Sequence, residues 1–112
     1  MSKSFQEIID RAVEVRGKYD RLNTEKYGGA WNVMERVLGF GGDYGQLAKL
    51  VMAKEGRRGY SGESSLDDAL RHELADCLWD VMAIADKYDV DLEKAFLETM
   101  DELDARIERR EG

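Results

Sequence analysis

The stretch from Leu66 to Tyr88 constrains this chain most, because its apolar residues return at helical spacing and at no other. Leu66, Leu70, Leu74, Cys77, Leu78, Val81, Ile84, Ala85 and Tyr88 fall on one stripe when turned by about 100° per residue. A stripe of that length must be covered by other elements, and the rest of the sequence offers only more helix. None of the 112 residues is proline, so no position is barred from donating its backbone N–H.

Three clusters of glycine, at 28–29, 39–45 and 56–62, punctuate four helical stretches. The first helix is expected from Phe5 to Leu22, opened by a Ser4/Glu7 capping box, with Asn23 to Gly29 as a loop. A second starts after Trp31 with Asn32 as cap, breaks at Gly39-Phe40-Gly41-Gly42, and resumes near Asp43 as far as Glu55. Gly56 to Ser65 reads as a polar loop, and a serine cap then opens the third helix. The turn Asp89-Val90 leads to Asp91, which caps a fourth helix carrying Leu92, Phe96, Met100, Leu103 and Ile107. The expected architecture is an all-α, four-helix bundle in a single domain, residues 1–112, completed by oligomerisation because four short helices leave apolar faces to spare.

Acids outnumber bases by 24 to 17, a net charge of -7, which gives no electrostatic reason to bind nucleic acid or an anionic membrane. It does favour divalent cations, and phosphates through them, although an acidic balance also serves solubility alone. The lone Cys77 cannot form an internal disulfide, and no signal-like or spanning apolar run occurs. A soluble, cytoplasmic protein is expected.

Glu73, Asp76 and Asp80 fall on one shoulder of the third helix, beside its apolar stripe. Carboxylates gathered there raise one another's pKa unless a cation intervenes. Oxygen-only ligands suit Mg²⁺ or Mn²⁺ rather than zinc. The same spacing also describes the solvated edge of an ordinary amphipathic helix. His72 has no Cys or His partner at zinc spacing, and Cys77 lies in the stripe as a packed thiol. Gly39-Phe40-Gly41-Gly42 lacks the Lys-Ser/Thr ending of a phosphate-cradling loop. Trp31 and Trp79 could each stack on a base; for Trp79, off the main stripe, a subunit interface is the favoured role. Lys49, Lys54, Arg57 and Arg58 are either phosphate contacts or a solvated basic surface.

Taken together, Trp31, Gly42-Asp43-Tyr44-Gly45-Gln46-Leu47-Ala48, His72-Glu73-Leu74-Ala75-Asp76-Cys77-Leu78-Trp79 and Ala83 to Phe96 resemble the MazG-like nucleotide pyrophosphohydrolases. That family pairs Glu-x-x-Glu on one helix with Glu-x-x-Asp on the next. The resemblance implies Mg²⁺-dependent hydrolysis of a nucleoside triphosphate to monophosphate and pyrophosphate, by a homodimer or dimer of dimers. Glu73 and Asp76 match the second pair, and Asp43 and Gln46 occupy the first. It implies Asp43, Glu73 and Asp76 as catalytic, the same three with Gln46 as metal ligands, and Gln46, Trp31, Lys54 and Asp80 as substrate contacts, with Asp86 an outer candidate. Gln46 departs from the pattern: its amide can offer an oxygen but cannot serve as a base. The competing reading is a non-catalytic nucleotide-binding or dimer module of the same fold; a helical adaptor with no nucleotide role is a third.

Overall fold

A computed structural model describes residues 2–111. It consists of α1 (Phe5–Tyr27), α2 (Val33–Lys54), α3 (Leu66–Lys87) and α4 (Leu92–Glu111), with no strand among the described residues. The all-α, four-helix expectation therefore holds. No helix among the described residues is long and apolar enough to cross a membrane.

Each start follows from its cap. Ser4 with Glu7, and Asn32 with Glu35, close complete capping boxes, so the first free N–H groups of α1 and α2 find side-chain acceptors. The Ser65 hydroxyl accepts from the Asp68 N–H, and the Asp91 carboxylate accepts from the Lys94 N–H.

Two boundaries differ from the sequence expectation. α1 runs a further turn, to Tyr27, and stops at Gly28, whose φ of 81° supplies the left-handed cap that a side chain resists. Asn23 to Tyr27 carries no residue able to end a helix before that point. α2 is continuous through Gly39–Gly42, so Asp43 lies inside it rather than capping it. Each glycine costs a helix about 1 kcal/mol relative to alanine, but the capped start and the packing against α3 carry the helix through. Gly39 has a positive reason to be small, since a Cβ there would collide with the Trp31 indole.

α2 and α3 pack along one another most extensively, α1 lies across α3, and α4 touches the other helices only at its margin. Trp79 settles between α1 and α3. Its indole N–H donates to the Ala12 carbonyl at 2.9 Å, and its ring tilts against Tyr19 with centroids 5.8 Å apart. Trp79 thus finds a second surface on α1 of the same chain. A polar lock binds three helices beneath it. Arg36 of α2 reaches Asp20 of α1 at 3.2 Å, and Arg16 of α1 meets Asp86 of α3 at 3.0 Å while approaching Asp20 at 3.7 Å.

Among the described residues the buried core is small: Met82, Ala83 and Ala85, all on α3. Leu74 and Leu78, expected to face inward, remain about half exposed. The radius of gyration is 17.5 Å, against about 13 Å for a compact domain of this length. With so little apolar burial, the polar lock carries weight. Arg36→Met strips the charge that Asp20 faces and is expected to cost about 1–3 kcal/mol, readable as a lower urea midpoint; an unchanged midpoint would make the Arg36–Asp20 pair incidental.

Candidate metal centre

Helix periodicity and the α2–α3 packing together build the acidic site. Glu73 and Asp76 sit three residues apart on one face of α3, and Asp43 approaches from the facing side of α2. One carboxylate oxygen from each lies within 4.8 Å of the other two. All three are half-buried, so water screens their repulsion incompletely.

The electrostatic strain shows in the neighbours. Burial pushes the Glu73 carboxyl above its ordinary range, and the charges of Asp76 and Asp43 push it further, with His72 pulling back. Asp80, one turn beyond Asp76, is pushed up to about 7, first by burial, then by a hydrogen bond shared with the Asp43 carboxyl and by the charges of Asp43 and Asp76. Arg36 opposes that rise. Burial and the surrounding acids also raise the Cys77 thiol, which keeps it protonated and suits a packed rather than a nucleophilic cysteine.

The donor set fits a hard divalent cation. Glu73 Oε2 and Asp80 Oδ2 are covered by protein yet have no hydrogen-bond partner, and an orphaned carboxylate oxygen is costly without a cation or proton to satisfy it. Ligand oxygens at about 2.1 Å from Mg²⁺ stand about 3–4 Å from one another, so small side-chain rotations would close the trio on such an ion. His72 Nε2 lies 3.1 Å from Asp76 Oδ2 and steadies the outer edge.

The other residues singled out from sequence distribute unevenly. Gln46 lies one turn past Asp43 on α2 and is exposed. Trp31 packs on Gly39, one turn before Asp43 on the same helix face, with its ring half exposed. Lys54 is not with the acids: it pairs with Asp67 at 2.7 Å, at the far end of α2. Asp86 belongs to the Arg16 lock rather than to an outer shell of this site. Arg36 and Arg16 went unremarked in the sequence, where nothing in their local spacing signals partners on other helices.

Residues 46–110 match the model of the MazG nucleotide pyrophosphohydrolase domain, more than half of the chain. The chain belongs to this family. The part matched to the MazG domain takes in Gln46, Glu73 and Asp76 but begins after Asp43, whose place in the site rests on the fold. No curated protein and no solved structure matched the chain.

A pH dependence follows. Between the ordinary carboxylate range and about 7, folded Asp80 holds a proton that the unfolded chain has released, so stability falls as pH rises through that window. In chelator-treated protein the melting temperature is expected to drop by several degrees from pH 5 to pH 8. Added Mg²⁺ or Mn²⁺ should restore most of the loss at pH 8 and little at pH 5. A melting temperature flat across this range would show that the acids are not packed as described.

Proposed function

We propose that this MazG-family chain is a Mg²⁺-dependent nucleoside triphosphate pyrophosphohydrolase, yielding a nucleoside monophosphate and pyrophosphate, with Mn²⁺ an alternative for the same oxygen ligands. The observation that carries this reading is the convergence of Asp43 with Glu73 and Asp76 in a chain of that family. A bound divalent cation would neutralise polyphosphate charge and lower the pKa of water.

The protein's own part is to gather oxygens and hold them still. Glu73 and Asp76 present carboxylates from one rigid helix, and Asp43 adds one from its neighbour, so the set can form only while α2 and α3 stay packed. Gln46, one turn past Asp43, offers an amide that can accept from water or donate to a phosphate. The half-exposed Trp31 ring offers a flat apolar face to a base. Lys54 would first have to leave Asp67 to meet a phosphate. The setting we favour is cytoplasmic, the assembly a homodimer or a dimer of dimers, and the role a housecleaning of unwanted nucleotides.

One residue favours a second reading. Gln46 brings no charge where the family carries a carboxylate, so a site with three acids in place of four would bind nucleotide without turning it over. Pyrophosphate release, measured over canonical and modified nucleoside triphosphates with Mg²⁺ and Mn²⁺, separates the two. Turnover is expected; nucleotide binding without turnover selects the binding module, and neither would dismiss both.

Glu73→Gln should retain helical structure while losing at least about a hundredfold in rate, beyond the 10–100-fold typical of residues that only support a ligand. An unchanged rate would remove Glu73 from the site. Gln46→Glu should tighten metal binding if position 46 faces the ion, and leave it unaltered if it points to solvent.

A further inference from the structure

Two Glu-x-x-acid pairs on neighbouring helices would bring four carboxylates together, but position 46 of this chain supplies only an amide. Gln46 is exposed on α2, and three acids make up the converging group. A further carboxylate nevertheless reaches the same place from outside both pairs. Asp80 lies one turn past Asp76 on α3, and its carboxyl comes within hydrogen-bonding reach of the Asp43 carboxyl across the α2–α3 contact. Asp80 and Glu73 are seven residues apart, two turns of helix, so they differ by only about 20° around the axis. Side chains on a helix tilt toward its N-terminus, which brings Asp80 back toward Asp76.

The protein itself leaves Asp80 unserved. Its Oδ2 is covered and has no hydrogen-bond partner, a condition it shares with Glu73 Oε2. Both orphaned oxygens therefore come from the same face of α3. Arg36, whose charge bears on Asp80, donates instead to Asp20 at 3.2 Å. A covered carboxylate oxygen without a partner is destabilising, and the two together mark where positive charge is called for.

We propose, on the strength of the divalent-metal reading of this site, that Asp80 is the fourth carboxylate of the centre. It ligates a divalent cation through Oδ2 beside Asp43, Glu73 and Asp76, and so supplies from α3 the charge that Gln46 does not bring from α2. Asp80 is then a metal ligand in place of the substrate contact that the family resemblance implies. Four acids face the cation, as many as two complete pairs bring, and three of the four stand on one helix. The missing carboxylate at position 46 is no longer a ground for binding without turnover.

Calorimetric titration of the chelator-treated full chain with Mn²⁺, no nucleotide present, tests this without reference to turnover. The unaltered chain should bind Mn²⁺ and Glu73→Gln should bind it poorly. Asp80→Asn should raise the Mn²⁺ dissociation constant by at least about tenfold, the lower limit for groups that merely support a ligand. Water-proton relaxation, with protein in excess over Mn²⁺, then separates ligation from a charge felt at a distance. Mn²⁺ bound to Asp80→Ala should carry one more exchangeable water than Mn²⁺ bound to the unaltered chain, because a lost ligand leaves its place to solvent. An unchanged dissociation constant in Asp80→Asn, or an unchanged water count in Asp80→Ala, would overturn the proposal and leave Asp43, Glu73 and Asp76 as the site. No Mn²⁺ binding by the unaltered chain would overturn it together with the metal reading on which it rests. Should either variant lose helicity by circular dichroism, Asp80→Ser takes its place with the same two outcomes.

Discussion

Like charges held together by helix packing organise this molecule. Asp43, Glu73 and Asp76 are brought within a few ångströms across the α2–α3 contact. The arrangement is unfavourable by itself, as the raised Glu73 and Asp80 carboxyls record. It becomes favourable when a dication sits among the oxygens or when protons are shared between them. What holds the helices against the repulsion is the capped, continuous α2, the Trp79 indole anchored on α1, and the ion pairs through Arg16 and Arg36. The candidate metal centre and a source of instability are here the same group of atoms, as is usual where ligands are assembled before their ion arrives.

The second organising fact is scarcity of interior. Among the described residues three small or medium side chains are buried, fewer than a bundle of four helices of this length can ordinarily stand on. The apolar residues exist in the sequence but lie on faces that the single chain does not close. Helix–helix packing within the chain therefore places the acids, and the remaining apolar faces are left exposed.

Much of this is legible in the residues. The four helices and their caps follow from Ser4, Asn32, Ser65 and Asp91 and from the apolar spacing between Leu66 and Tyr88, because both signals are local. The pairing of Glu73 with Asp76 is likewise a matter of one helix face. What periodicity cannot give is the partner of a face. Trp79 was expected at a subunit interface because it leaves the stripe, yet α1 meets it within the chain. Asp86 looked like part of the acidic group and instead answers Arg16. The glycine run looked like a break, since helix propensity counts each residue alone. It takes the position of the Trp31 indole to see why Gly39 is tolerated. Asp43 was placed beside Glu73 and Asp76 by family pattern, and only the crossing of α2 over α3 brings the oxygens together.

The thin interior turns the usual map of mutational sensitivity inside out. In most domains of this size, the positions that tolerate no change are hidden ones and the surface is permissive. Among the described residues Met82, Ala83 and Ala85 are the hidden set, and two of them are alanines with little left to lose. Changes at the half-buried positions that seat the helices, Trp79, Arg16 and Arg36 among them, therefore weigh more than truncation of that interior.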